Sequence, residues 1–451
     1  MKMEVEIIST DCIKPSSPTP CHLRNHKLSF LDQHIPHVQI PLVVFYSLDQ
    51  EENLSRSDIN HIVCERLQLL KQSISETLSP FYPLAGKIKD HCTIDCNDEG
   101  IYFAEARVDS LLSDFLSHPD IYLMSKFLPS DGTWEPNPGK YVAGVQVTTF
   151  ACGGIAVGIF VSHMIADGTA FSWFLKSWAA RARKNNEEEI HPRFDASSIF
   201  PYEDEYPREE LLTPAVTSHL KFGKFLTKRF VFDATAIAKL KAEATSSSVQ
   251  NPTRVEVVTA LFAKCFMAAL QPKPDTDKPF SLTHAINLRR KASPQFSEYM
   301  GNFVWAPPVV CKDAEADLQG LVGQLKQGIA KVNGDFVNCL QGDEGLHNFV
   351  EAIKYEREIC DGAVDKIQFT SWCNFGLYDL DFGWGKPAWA STVGLNDSVT
   401  FYNTIVLMDT RKGDGVEAWA SLLEEDIAKL VLDKELLAFA TVDPNPLKYD
   451  I

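Results

Sequence analysis

The residues best suited to chemistry lie together in Ser162-His163-Met164-Ile165-Ala166-Asp167-Gly168, where an apolar run ends and an amphipathic stretch begins. An imidazole with an ordinary pKa of about 6.5 can accept a proton near neutral pH, so His163 is a candidate general base. Asp167 can orient that imidazole, anchor the turn through a salt bridge, or cap the following helix, because aspartate is favoured at an N-cap. The plain alternative is a core histidine beside a capping aspartate. A metal reading of the pair lacks a third ligand nearby in sequence. A second unusual stretch, Thr370-Ser371-Trp372-Cys373-Asn374-Phe375-Gly376, precedes Asp381-Phe382-Gly383-Trp384-Gly385-Lys386-Pro387. Glycines on both sides of Trp384 permit a tight turn packed beside the ring, which is a structural device first.

The elements that must position these groups are written in the apolar periodicity. Residues 141–166 contain no Asp, Glu, Lys or Arg, a span long enough to raise a membrane helix. Gln146, Thr148, Thr149 and the turn Cys152-Gly153-Gly154 divide it into two β-branched runs, which predicts a buried β-hairpin instead. Helical spacing of Ile59, Val63, Leu67, Leu70, Ile74 and Leu78 predicts a helix capped by Ser57 and stopped by Pro80. Further helical stripes are Phe171, Phe174, Leu175, Trp178, then Val258, Leu261, Phe262, Cys265, then Leu318, Leu321, Val322, Leu325, Ile329. Strands are predicted over 228–232, 280–286, 304–310 and 404–408. The last forms a hairpin with 416–421 through Lys412-Gly413-Asp414-Gly415.

This alternation predicts an α/β fold. Residues 184–189 read as a charged turn, and 191–213, rich in Pro, Asp, Glu and Tyr, as a long crossover. The expected division is an N-terminal domain at 1–190, a linker at 191–226 and a C-terminal domain at 227–451, each domain of ordinary size.

With 451 residues, 43 Lys+Arg and 60 Asp+Glu, the chain carries a net charge of −17. A nucleic-acid binder normally has a basic surplus, so nucleic acid is excluded as a partner. The eleven cysteines are odd in number and contain no C-x-x-C pair, which disfavours a disulfide framework or zinc ribbon; no metal is expected. Acidic residues stand near Met1 where a signal peptide needs an apolar core, so a cytoplasmic protein without a membrane segment is expected.

The ordered motifs resemble a family. His163-Met164-Ile165-Ala166-Asp167-Gly168 and Asp381-Phe382-Gly383-Trp384-Gly385 are similar to the two signatures of the plant BAHD acyltransferases. The resemblance extends through Leu28-Ser29-Phe30-Leu31-Asp32, Tyr82-Pro83-Leu84-Ala85-Gly86-Lys87, Asn287-Leu288-Arg289, Tyr299-Met300-Gly301-Asn302 and Asp414-Gly415-Val416-Glu417-Ala418-Trp419. Within the family the chain looks most like the vinorine synthase-like alkaloid acetyltransferases. Lys87 and Met300 depart from the residues frequent at those positions.

The resemblance implies two similar domains of the chloramphenicol acetyltransferase type, each a mixed β-sheet with flanking helices, with a channel at their interface. It implies a monomer with no tightly bound cofactor. Acyl-CoA, most simply acetyl-CoA, would be the co-substrate and a small plant metabolite, an alkaloid alcohol first, the acceptor. His163 would be the base in a ternary complex. Asp167, Arg289, Asp381, Gly383, Trp384 and Gly385 would support the site, with Asp167 paired to Arg289. Thr370 and the indole of Trp372 would face the oxyanion, and Tyr299, Gly301 and Asn302 would border the cofactor. Other readings stay open: transfer of a hydroxycinnamoyl or benzoyl group to oxygen or nitrogen, or a catalytically silent binder of this fold. CoA phosphates on so acidic a chain require a local basic patch, for which Arg290, Lys291 and Lys386 are available, although each can equally be a solvated surface charge.

Overall fold

The computed structural model describes residues 3–48, 55–129, 139–185, 190–211, 220–270, 279–292, 296–311, 317–360, 365–394 and 396–447. Part of the charged turn, 186–189, and part of the crossover, 212–219, lie outside the described residues, as do residues 1–2.

The fold is a two-domain α/β arrangement built on two large mixed sheets. The first has six strands in the order Glu6–Ile13, Ile101–Val108, Ala143–Phe150, Ile155–Ser162, Gln39–Tyr46, Trp389–Ser391. Its one parallel pair joins Ile101–Val108 to Ala143–Phe150. The predicted hairpin is its centre, with every residue of Ile155–Ser162 buried. The second sheet has Pro308–Cys311, Phe280–His284, Asp365–Ser371, Thr404–Asp409, Val416–Leu423, Leu220–Phe232 and Asn396–Tyr402 in that order, with Thr441–Val442 also on Leu220–Phe232. Among the described residues, no helix is long and apolar enough to cross a membrane.

The predicted helices form at Arg56–Leu78, Gly168–Ala182, Arg254–Leu270 and Leu318–Lys331. The first is capped by Ser55 rather than Ser57. Ser55 and Asp58 bond reciprocally in a capping box, so the Ser-x-x-Asp spacing decides the start and leaves Ser57 inside the first turn. The strand expected over 304–310 divides at Pro307-Pro308: Val304–Trp305 pairs with Ile286–Asn287, and Pro308–Cys311 returns to Phe280–His284. Proline lacks the N–H a ladder needs, so the run cannot continue through it. The strand expected over 228–232 begins earlier, at Leu220, inside the segment read as linker.

Trp389–Ser391 follows the second stretch of interest yet pairs antiparallel with Gln39–Tyr46 at the edge of the first sheet. Aromatic packing holds it there. Trp389 is buried, stacks on Phe45 at 5.6 Å and on Trp419 of the second sheet at 5.9 Å, and has the Arg229 guanidinium 5.1 Å from its ring. The two sheets are thus tied together through Trp389, at the end of the strand Gln39–Tyr46 that pairs with Ala156, away from Ser162.

Candidate active site

His163 stands one residue beyond the strand Ile155–Ser162, and its backbone N–H donates to the Val38 carbonyl at 2.8 Å. Rigid backbone therefore holds the ring on the strand side. On the helix side, Asp167 is the N-cap of Gly168–Ala182 and accepts from the Ala170 N–H at 2.9 Å. That helix is fastened by its apolar stripe, with buried Trp178 donating its indole N–H to Ser73 Oγ at 3.0 Å.

Asp167 does two of the three things its type allows. Besides capping the helix through Oδ1, it uses Oδ2 to accept from Arg289 Nη1 at 2.6 Å and from the Phe303 N–H at 3.0 Å. Both side chains of the ion pair are almost fully buried, at 3% and 2% exposure. The guanidinium also donates to the carbonyls of Tyr299 and Gly301, each at 2.9 Å, and lies against the faces of Phe303 and Trp173 at 4.4 and 5.1 Å. Asp167 N–H donates to the Gly301 carbonyl at 3.2 Å. The His163 turn, the Asn287-Leu288-Arg289 segment and residues 299–303 therefore form one cross-linked unit.

The third possibility, orientation of the imidazole, falls to a different residue. His163 Nδ1 is 3.0 Å from Asn302 Oδ1. The Asn302 amide has its orientation set by two acceptors, because Nδ2 donates to Asp32 Oδ1 at 2.9 Å and to the His163 carbonyl at 2.8 Å. Only the amide oxygen is left for the ring, so Nδ1 carries the proton and Nε2 the lone pair. Burial lowers the His163 pKa from its usual 6.5, against weaker upward pulls from its own carbonyl, Asp167 and Asn302. A neutral, partly buried imidazole with a fixed tautomer can accept a proton at Nε2.

Of the residues expected at the cofactor, Tyr299 and Gly301 have their carbonyls on Arg289, and Asn302 is the partner of His163. Thr370 lies on Asp365–Ser371 and the buried Trp372 just after it, held by a backbone bond to the Leu407 carbonyl at 2.7 Å. Neither the Thr370 hydroxyl nor the Trp372 indole N–H has a hydrogen-bond partner among the described residues. This segment packs on the His163 turn: a methyl group at Gly168 would stand 2.7 Å from the Phe375 ring and 3.6 Å from the Trp372 ring.

The Asp381–Gly385 loop is closed by Asp381 Oδ1, which accepts from the N–H groups of Gly383 and Gly385 at 2.7 and 2.9 Å. Both glycines have left-handed φ values, 108° and 106°, a conformation side chains resist. The loop docks on the first domain. Phe382 meets Trp178 at 4.8 Å, Trp384 meets Tyr46 at 6.1 Å, Tyr46 donates to the Leu380 carbonyl at 2.6 Å, and Arg183 donates to the Asp381 carbonyl. It is a clasp between domains.

Two mixed sheets, and a histidine oriented by Asn302 beside a buried ion pair, define the class of protein to compare with. The Transferase family model matches residues 3–437. The chain is 53% identical to epi-neemfruitin B 7-O-acetyltransferase of Melia azedarach, covering 99% of this chain and all of that one, and 53% identical to a limonoid 7-O-acetyltransferase of Citrus sinensis over the same shares. The crystal structure of vinorine synthase superposes with a TM-score of 0.79 at 34% identity, covering 98% of this chain and 100% of that one. The chain belongs to the plant BAHD acyltransferases of the Transferase family. It is an acyltransferase, and acyl-CoA is the co-substrate of its relatives.

Asn302 and Asp32 are the residues whose contacts with the site were missed. The signal for Asp32 was present as Ser29-Phe30-Leu31-Asp32, a capping-box spacing, but nothing local in it points to a partner 270 positions away.

Proposed function

We propose that the protein transfers an acetyl group from acetyl-CoA to a hydroxyl of a limonoid-type alcohol, with His163 as general base. The observation that carries this is the Asn302 bond, which leaves Nε2 free to take a proton. The acceptor O–H gives its proton to Nε2 as its oxygen bonds to the thioester carbonyl carbon. The carbonyl electrons move onto oxygen, where Thr370 and the Trp372 N–H are the candidate donors for the developing charge. Collapse re-forms the carbonyl and breaks the C–S bond, and the thiolate takes the proton from the imidazolium. No acyl-enzyme is needed, so donor and acceptor share one ternary complex in a channel between the domains. Arg290, exposed, and Lys291 have no ion pair among the described residues, whereas Lys386 pairs with Asp379 at 2.7 Å; the first two are the better candidates for the CoA phosphates. The domain limits 1–190, 191–226 and 227–451 remain our working division, with Trp389–Ser391 crossing back onto the first sheet.

Identity of 53% with 7-O-acetyltransferases favours a limonoid alcohol over the alkaloid alcohol expected from sequence. The alkaloid reading is second, supported by the vinorine synthase match. Purified protein given acetyl-CoA and a panel of limonoid and alkaloid alcohols is expected to release free thiol with the limonoids and much less with the alkaloids. Turnover confined to alkaloids would reverse the order, and turnover only with benzoyl- or coumaroyl-CoA would replace the donor.

The pH profile follows from the lowered His163 pKa. The active form is neutral, and its pKa lies below 6.5. Of the charged groups, Asp167 bears on this ring, and it is spoken for by Arg289. With proton abstraction limiting, kcat/KM is expected to stay level across neutrality and fall tenfold per unit only below about pH 6.5. A limb centred at or above neutrality would count against this assignment.

A further inference from the structure

The buried carboxylate of Asp32 has more donors than its helix requires. It sits at the end of the first turn of the short helix Phe30–Gln33, where Oδ2 accepts from Ser29 N–H at 3.0 Å and Ser29 Oγ at 2.6 Å to complete a capping box. That uses one oxygen. The other, Oδ1, accepts from the Asn302 N–H at 2.7 Å and Asn302 Nδ2 at 2.9 Å. Asp32 is only 3% exposed and has no ion pair among the described residues. An uncompensated carboxylate is costly to bury, so its retention asks for a use beyond capping. The close approach also depends on Gly301, where a methyl group would stand 3.0 Å from Oδ1.

The geometry points to Asp32 as a positioning residue that sets the tautomer of His163 through the Asn302 amide. This rests on the reading of His163 as the base. Four N–H or O–H groups converge on two oxygens, and only a carboxylate is an acceptor on both sides. An amide in its place would set N–H against N–H on one side or the other. One arrangement keeps the present Asn302 orientation and breaks the bond to Ser29. The other turns the Asn302 amide over at the expense of its bond to the His163 carbonyl, presents Nδ2–H to His163 Nδ1, and moves the ring proton to Nε2, where no lone pair remains for the acceptor. The carboxylate removes this choice.

The test is Asp32→Asn, which keeps shape and removes the second acceptor. The ring tautomer is read without turnover from the nitrogen NMR shifts of isotope-labelled histidine, the His163 signals being identified by their loss in His163→Gln. Wild type is expected to show Nδ1–H alone. Asp32→Asn is expected to show a mixture with Nε2–H, and its kcat to fall about 10- to 100-fold, the usual cost of losing a group that orients a functional histidine, with both KM values kept. If Asp32→Asn proves too unstable to study, Asp32→Ser, whose single hydroxyl cannot accept on both sides, is expected to loosen the Asn302 amide and to change the tautomer and kcat in the same direction. Asp58→Asn breaks the equivalent capping box at the exposed start of helix Arg56–Leu78 and is expected to leave activity unchanged. A folded Asp32 variant with the wild-type tautomer and kcat would overturn the proposal, as would an equal loss of kcat in Asp58→Asn. Failure of the base reading looks different: His163→Ala would stay active while the tautomer still shifted in Asp32→Asn.

Discussion

Replacing His163 by alanine is expected to lower kcat/KM by about 10²- to 10⁴-fold, the range associated with a positioned general base. The loss should fall on kcat, because in the proposed mechanism the ring takes the acceptor's proton in the transition state and contributes little to binding either substrate. The fold should survive. The imidazole makes one side-chain hydrogen bond, to Asn302 Oδ1, while the Asn302 amide keeps its bonds to Asp32 and to the His163 carbonyl. The strand before it and the helix after it are buried independently of the ring. Thiol release with saturating acetyl-CoA measures the rate, and a thermal melt run alongside separates chemistry from stability. An alanine variant retaining about a tenth or more of wild-type activity would remove His163 from the role of base.

The second large effect is structural in origin. Arg289→Ala is expected to destabilise the protein by about 3–5 kcal/mol, because Asp167 would be left as a buried charge without its counter-ion. The magnitude follows from position. Both partners are within a few per cent of full burial, and the guanidinium also satisfies the Tyr299 and Gly301 carbonyls. Loss of the arginine therefore leaves Asp167 Oδ2 with the Phe303 N–H alone, the Gly301 carbonyl with the Asp167 N–H alone, and the Tyr299 carbonyl without its guanidinium donor. Urea unfolding of wild type and variant at one temperature measures the difference. Activity should fall even where the variant stays folded, because these bonds hold residues 299–303, and with them Asn302, against the His163 turn. Arg289→Lys should recover only part of the stability, since an ammonium cannot reproduce the planar fork reaching Asp167 and both carbonyls. A destabilisation below about 1 kcal/mol would mean that the pair is not what holds the turn.

The site was legible in part because its chemistry is carried by residue types at short spacing. His163 and Asp167 stand four positions apart at a visible strand-to-helix junction, and aspartate's preference for helix starts foretold the cap. Periodicity likewise disclosed the hairpin 141–166 and the helices that flank it, because each buries a face whose repeat shows in the apolar residues. Even so, Ser55 displaced Ser57 as a cap, and two prolines broke the run 304–310. In both places a backbone donor decided between patterns that apolar spacing alone leaves equal.

The class of fold, the two motif-bearing stretches and the candidate base are readable from the order of residues, since propensity, periodicity and side-chain chemistry are local properties. What faces the candidate base is set by long-range packing. Asn302 is 139 positions from His163, and Asp32 is 270 from Asn302. Trp389–Ser391 lies in sequence between two strands of the second sheet yet forms the edge of the first. A hydrogen bond requires two groups within about 3 Å at a set angle, and chain separation says nothing about that until both sheets have packed. The imidazole was readable from the order of residues; its tautomer belongs to the fold.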